Sequence, residues 1–102
     1  MALLTDEQVV IALRGLPGWT REGNTLVRRY AFSSFLTAIA FINALAPLAE
    51  AANHHPELTN VYNRVTIALS THDEGGITEK DVALAALIED AADTILNPKS
   101  KI

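Results

Sequence analysis

Apolar and polar positions in the first third of the chain predict a short helix followed by a hairpin. Thr5 and Gln8 form a capping-box pattern, which predicts a helix that begins after Thr5 and ends near Arg14, just before a glycine. Trp19 to Glu22 and Thr25 to Phe32 are predicted to be two short strands, because the Gly-Asn pair between them is typical of a hairpin turn.

Helical spacing returns in the middle of the chain. Ser33 or Ser34 is expected to cap a long helix. Its predicted buried stripe consists of apolar residues at helical spacing: Phe35, Ile39, Ile42, Leu45 and Ala49. Pro47 lies inside this pattern and predicts a kink or break, since it lacks an N–H and clashes with the preceding turn. Pro56 is expected to end the helix, because it pushes the preceding residue out of the helical region.

A second hairpin and a closing helix complete the pattern. Glu57 to Tyr62 and Val65 to Thr71 are predicted to be the two strands of this hairpin, and the later strand alternates between apolar and more polar residues. In the later strand every second residue is expected to face the core: Val65, Ile67 and Leu69. A capping box from Thr78 to Asp81 predicts the start of the last helix. The apolar face of that helix is expected to comprise Leu84, Ala85, Ile88, Ala91, Ala92 and Ile95.

These elements together define a fold class. Their order, α-β-β-α-β-β-α, predicts an α+β fold in which a four-stranded antiparallel sheet carries three helices packed on one face. The length is that of one domain, so residues 1–102 are assigned to a single domain. Hydrophobic residues make up 49% of the chain. That is more apolar surface than a small monomer easily buries, which favours a homodimer or homotetramer.

Charge and composition exclude several classes of function. The net charge is −4 and the 8 Lys and Arg residues are dispersed, so direct nucleic-acid binding is not expected. The N-terminus lacks the features of a signal peptide. The most apolar stretch, Phe35 to Ala52, is interrupted by polar residues and a proline, so a membrane span is not expected either. Cysteine is absent, which excludes thiolate metal sites. We therefore expect a cytoplasmic protein.

All three histidines lie within residues 53–72: His54, His55 and His72. The residues alone leave three interpretations open. The histidines could satisfy the ends of a helix and a strand. They could bind a metal ion together with Glu50, which is one helical turn before His54. They could also perform metal-free acid–base chemistry on a small polar molecule, because imidazole exchanges protons near neutral pH.

A longer motif surrounds the histidines. It consists of an acidic residue, a His-His-Pro triplet, an aromatic residue, a third histidine and a later aspartate: Glu50, His54, His55, Pro56, Tyr62, His72 and Asp81. This motif closely resembles that of the pterin-4a-carbinolamine dehydratase family. The resemblance extends to Gly18-Trp19 and to the closing helix, so that it covers nearly the whole chain.

The resemblance implies the fold described above and a lyase activity. The substrate class would be 4a-hydroxytetrahydropterin, dehydrated to quinonoid dihydropterin and water during tetrahydropterin recycling, with no metal or redox cofactor. It implies that His54, His55 and His72 are catalytic, with His54 and His72 exchanging protons around the hydroxyl group and His55 mainly binding and orienting. A functional link to an aromatic amino-acid hydroxylase would follow. A non-enzymatic oligomerisation scaffold of the same fold remains the alternative.

The resemblance also implies which residues surround the substrate. The expected binding residues are the three histidines with their flanking positions: Pro56, Thr71, Asp73 and Glu74. Glu50 is expected to orient His54 from one turn earlier in the helix. Asp81 is a motif position, but its place in the capping box explains it better than a catalytic function does.

Overall fold

The computed structural model describes residues 2–96 and contains three helices and four strands in that part of the chain. The helices are α1 (Asp6–Arg14), α2 (Phe35–Ala52) and α3 (Glu79–Leu96). The strands are β1 (Trp19–Glu22), β2 (Thr25–Ala31), β3 (Glu57–Val61) and β4 (Arg64–Leu69). The predicted element order and the α+β class are confirmed.

The first two helices begin where the sequence predicts. The Thr5 hydroxyl accepts from the Gln8 N–H at 3.1 Å, and the Gln8 side chain accepts from the Thr5 N–H at 2.9 Å, which completes the capping box of α1. Ser34, rather than Ser33, caps α2 by accepting from the Thr37 N–H. Both caps are local interactions, which is why the residue pattern predicts them well.

The strands form one antiparallel sheet in the order β1-β2-β4-β3. β2 and β4 lie at its centre, and their core-facing residues pair directly, as in Leu26 with Leu69 and Tyr30 with Val65. The residues predicted to point inward from β4 are fully buried: Val65, Ile67 and Leu69. Side chains from α2 and α3 complete the core over this face, so the prediction that helices pack on one side of the sheet holds.

The buried face of α2 differs in part from the predicted stripe. Leu45 and Ala49 are buried as expected, but Phe35 is 45% exposed. Ala38 and Phe41 take the interior positions instead. The Phe41 ring packs on the rings of Tyr30 and Phe32 at centroid distances of 4.9 and 5.0 Å. Phe35 is the first helical residue, so it lies at the end of the stripe beside solvent.

The predicted break at Pro47 is wrong, because α2 runs unbroken from Phe35 to Ala52. Pro47 removes the hydrogen bond that its N–H would donate to the carbonyl of Asn43. Both residues are exposed, so that this carbonyl lies on the solvent side of the helix. Water can satisfy the carbonyl there, and the packing of the opposite face holds the helix together.

Pro47→Ala is therefore expected to stabilise the protein by about 1–3 kcal/mol, because it restores a helical hydrogen bond and removes a steric clash. Thermal unfolding at fixed protein concentration should show a higher Tm. Ala46→Gly, in the same exposed turn, is the matched control and should lower stability by about 1 kcal/mol. An unchanged or lower Tm for Pro47→Ala would contradict the idea that the proline strains α2.

Apolar composition alone would allow α2 to cross a membrane, since its mean hydropathy is 1.6 over 18 residues. In the fold, one side of this helix contributes four residues to the domain core: Ala38, Phe41, Leu45 and Ala49. Core helices pass the same composition test, and packing accounts for this part of the apolar character of α2.

Arg28 is the one charged residue on the inward-facing side of β2, and Glu89 of α3 explains its position. Glu89 Oε1 accepts from Arg28 Nε at 3.1 Å, from Trp19 Nε1 at 2.9 Å and from the Tyr30 hydroxyl at 2.7 Å. The Arg28 guanidinium also stacks 4.2 Å from the centre of the Tyr30 ring. Burial and the nearby Glu89 carboxylate raise the pKa of Tyr30 well above its usual value, so the phenol remains a donor.

Candidate active site

The end of α2 places the first two histidines outside the helix. Asn53 adopts a left-handed conformation, with φ 50° and ψ 43°, and its N–H donates to the Glu50 carbonyl at 3.0 Å. The His54 N–H then donates to the Ala49 carbonyl at 3.1 Å. Asparagine tolerates this conformation better than most residues do. The helix thus ends at Asn53 by its own cap, before Pro56 can act as the predicted stop.

The third histidine lies in a turn and not at the end of a strand. β4 ends at Leu69, and residues His72–Glu74 form a single 3-10 turn. The turn is closed by an isolated bridge between Thr71 and Gly76, and by Gly75 at φ 76°. The prediction that β4 reaches Thr71 is therefore too long. Glycine adopts a positive φ without steric cost, so Gly75 allows this turn to close.

A cleft of about 330 Å³ brings the three histidines together. We call it the histidine cleft, and its lining residues are Asn53, His54, His55, Ser70, Thr71, His72, Asp73 and Lys80. Of the predicted binding residues, Thr71 and Asp73 line this cleft, whereas Pro56 and Glu74 are not among its lining residues. Sequence reasoning missed Asn53, Ser70 and Lys80. Lys80 could have been predicted, because the capping box places it in the first turn of α3, next to the motif residue Asp81.

His54 is held by a buried carboxylate. Its side chain is 11% exposed, and its Nε2 lies 2.5 Å from Oδ1 of Asp81, which is fully buried. Oδ2 of the same carboxylate accepts from the Thr78 N–H at 2.8 Å and from the Thr71 hydroxyl at 2.9 Å. With the carboxylate accepting at both oxygens, the Nε2–H of His54 is the donor to Oδ1, which leaves Nδ1 as its proton-exchanging nitrogen.

The hydroxyl groups behind the cleft continue this network. Since Thr71 donates to Asp81, Thr78 donates to the Thr71 oxygen at 2.8 Å and accepts from the Lys80 N–H at 3.2 Å. Thr71 and Thr78 are both buried, and each side chain is satisfied. A fully satisfied buried network holds its members in one arrangement. Asp81 therefore caps α3, as predicted, and in addition fixes the ring of His54.

Glu50 contacts a different histidine from the predicted one. Its Oε1 lies 2.6 Å from Nε2 of His55, not of His54. The expectation of a His54 partner assumed that the helix continued, so that residues four apart would share a face. Because Asn53 is left-handed, the chain turns out of the helix there, and the His55 side chain reaches Glu50. This pair is open to solvent, with the side chains 59% and 78% exposed, so it holds His55 more weakly than Asp81 holds His54.

His72 differs from the other two histidines. It is exposed, and its ring forms no hydrogen bond or ion pair with another side chain within residues 2–96. Both ring nitrogens are thus open to a ligand. Across the same part of the chain, no group of three or more His, Asp or Glu side chains is arranged to hold a metal ion. The geometry shows one anchored imidazole and one unanchored imidazole at a shared polar cleft.

A known protein family matches most of the chain. Residues 2–91 match the family model described as pterin 4 alpha carbinolamine dehydratase. The matched segment contains the whole histidine cleft and all the elements that position it, apart from the last turns of α3.

Individual relatives agree over most of the chain. A protein of Thermomicrobium roseum is 50% identical over 92 residues, covering 90% of this chain and 99% of the relative. One from Mycobacteroides abscessus is 53% identical over 89 residues, covering 87% of this chain and 95% of the relative. Both are named "Putative pterin-4-alpha-carbinolamine dehydratase".

Two solved structures share the fold. The crystal structure of a transcriptional coactivator/pterin dehydratase from Brucella melitensis superposes with a TM-score of 0.85 at 39% identity, covering 88% of this chain and 98% of that one. A pterin dehydratase-like protein identified as a RuBisCO assembly factor in the alpha-carboxysome superposes with a TM-score of 0.60 at 31% identity, covering 72% of this chain and 86% of that one.

Proposed function

Because the chain belongs to the pterin 4 alpha carbinolamine dehydratase family, we propose that it dehydrates a 4a-hydroxytetrahydropterin to quinonoid dihydropterin and water. The observation that supports this most is the histidine cleft, in which His54 is anchored on buried Asp81 and His72 is left open to a ligand. We place the reaction in the cytoplasm, in the recycling of tetrahydropterin after an aromatic amino-acid hydroxylase has acted.

The reaction needs two proton transfers and no change in oxidation state. The substrate carries a hydroxyl group on a ring carbon that is bonded to a nitrogen. The nitrogen lone pair forms a C=N double bond as the C–O bond breaks, and one N–H proton of the ring system is lost. Hydroxide is a poor leaving group, so that the departing oxygen must receive a proton and leave as water. General acid and base catalysis of such steps contributes about 10²–10⁴-fold.

His54 and His72 are proposed to exchange these protons. Asp81 fixes the His54 ring and its Nε2–H, so that Nδ1 can take up or release a proton toward the substrate. The His72 ring is free to use either nitrogen. Which imidazole acts as the acid then depends on the face of the ring that carries the hydroxyl group. His55, steadied by Glu50, is proposed to bind and orient the substrate at the open edge of the cleft.

The wider surroundings are proposed to complete the substrate site. Thr71 and Asp73 line the histidine cleft, and Pro56 and Glu74 lie next in sequence to lining residues. We further propose that the active form is a homodimer or homotetramer, since several large apolar side chains are exposed: Leu36 at 77%, Tyr62 at 67% and Val61 at 52%.

Stopped-flow absorbance of 4a-hydroxytetrahydropterin breakdown tests the proposal. We expect the protein to accelerate the decay over buffer between about pH 6 and 8, with a rate that saturates as substrate increases. Free imidazole at three times the protein concentration is the control, because the chain carries 3 histidines. Acceleration no greater than that control would sink the enzymatic proposal.

A second candidate function is a non-enzymatic assembly scaffold. The observation in its favour is the fold shared with the protein identified as a RuBisCO assembly factor. That likeness is weaker than the one to the Brucella structure, at a TM-score of 0.60 against 0.85. If the protein does not accelerate the decay in the stopped-flow experiment, the assembly scaffold becomes the favoured function.

A further inference from the structure

Lys80 lines the histidine cleft from the first turn of α3, and neither the cap nor the network uses its ammonium group. Its backbone N–H donates to the Thr78 hydroxyl at 3.2 Å, which fixes where the side chain begins. Within residues 2–96 the ammonium group forms no hydrogen bond or ion pair with a side chain. It is therefore available to a molecule in the cleft.

Helix stability does not account for a lysine at this position. The N-terminus of a helix carries partial positive charge, and a cation in the first turn costs about as much as an anion there contributes. The neighbouring residues follow the favourable rule, since Glu79 and Asp81 are acidic. Lys80 is the exception, and the residues three and four positions later, Ala83 and Leu84, offer it no charge partner. The cleft, which Lys80 lines, is the place where a bound molecule could partner this charge.

The charges of the cleft define what Lys80 could bind. Asp73 is the carboxylate among the lining residues, and within residues 2–96 it forms no ion pair with Lys80. The carboxylates of Asp81 and Glu50, which are not lining residues, are engaged by His54 and His55. Lys80 is the one side chain among the lining residues that carries a permanent positive charge. An ammonium group has three donors and no acceptor, so that its natural partner is a ligand oxygen that only accepts.

We propose that the Lys80 ammonium group binds the carbonyl oxygen at position 4 of the pterin ring. This inference rests on the proposed function, because it takes a pterin as the ligand. Carbon 4 is bonded to the carbon that loses the hydroxyl group. An ammonium donor on the carbonyl oxygen therefore turns that carbon toward His54 and His72 and sets the register of the ring in the cleft. Lys80 would be a substrate-binding residue that selects 4-oxo pteridines.

The test compares two stable fluorescent ligands that differ in the group at position 4 and, as a consequence, in the hydrogen on the adjacent ring nitrogen. Pterin carries a carbonyl oxygen at position 4, whereas 2,4-diaminopteridine carries an amino group there. Affinities for both ligands are measured by fluorescence titration in the same buffer at neutral pH. We expect the protein to prefer pterin, and Lys80→Met to lose about 10-fold in pterin affinity with little change for the diamino compound. Lys80→Arg should retain most of the preference, because it keeps the charge.

Arg14→Met is the matched control for net charge, since Arg14 lies in the last turn of α1 and outside the cleft. It should change neither affinity. Lys80→Met should unfold at the same temperature as the unaltered protein or slightly higher, because it removes an unfavourable helix-end charge. An equal loss for both ligands, no loss for either, or no preference in the unaltered protein would each overturn the inference.

The turnover experiment separates this inference from the proposed function. If the unaltered protein clearly accelerates dehydration but Lys80→Met still prefers pterin, the proposed activity holds and the proposed function of Lys80 is wrong. If the preference for pterin depends on Lys80 but the protein does not accelerate dehydration, Lys80 recognises the pterin ring and the proposed activity is wrong.

Discussion

His72→Ala is expected to lower the catalysed rate of dehydration by on the order of 10²–10⁴-fold and to leave the fold unchanged. The ring of His72 is exposed and forms no bond to another side chain in residues 2–96, so its removal leaves no buried group without a partner. His72→Gln should lose as much activity, because glutamine keeps hydrogen-bonding groups but cannot exchange a proton near neutral pH.

His54→Ala should lose activity to a similar extent but also stability. Its removal deprives the buried Asp81 carboxylate of one donor, which costs about 1–3 kcal/mol. His72→Ala is for this reason the cleaner test of chemistry. Stopped-flow rates with circular dichroism and Tm for each variant make the comparison. Full activity in His72→Ala would contradict the two-imidazole mechanism and leave His54 as the sole proton-exchanging group.

Local sequence patterns predicted most of the fold but few of the side-chain contacts within the site. The caps at Thr5 and Ser34 and the alternation of Val65, Ile67 and Leu69 depend on residues within a few positions of one another. Such signals are present in any short window of sequence. This is why the element order and the antiparallel sheet could be derived before the tertiary structure was known.

The contacts within the site depend on where distant elements meet. His54 and Asp81 are 27 positions apart, and nothing in the spacing indicates that the end of α2 meets the start of α3. Glu50 contacts His55 instead of the predicted His54 for a similar reason. A single left-handed residue, Asn53, breaks the helical spacing on which the prediction relied. The motif showed which residues belong to the site, while the backbone decided which of them touch.

Asp81→Asn is expected to separate the two functions of this residue. The amide keeps one oxygen, which can still accept from the Thr78 N–H and preserve the helix cap. Its NH₂ group then faces His54 Nε2, where the carboxylate had accepted. His54 can keep a hydrogen bond only by moving its own proton to Nδ1, so that the nitrogen proposed to serve the substrate no longer carries a lone pair.

The rate should therefore fall much further than the stability. We expect a loss of about 1–2 kcal/mol in unfolding free energy, from the weaker hydrogen bonds of an uncharged group. The catalysed rate should fall by on the order of 10²–10⁴-fold, as when an aspartate that orients a catalytic histidine is replaced by asparagine. Nitrogen-15 NMR of the imidazoles should show the His54 proton moving from Nε2 to Nδ1.

Asp6→Asn provides the matched control, because Asp6 is also an acidic residue in the first turn of a helix and is far more exposed. It should lose no more than about 1 kcal/mol and keep the full rate. If Asp81→Asn likewise kept its rate while losing stability, Asp81 would be a helix cap alone. The orientation of His54 would then depend on its packing at the end of α2, and the carboxylate would have no part in the chemistry.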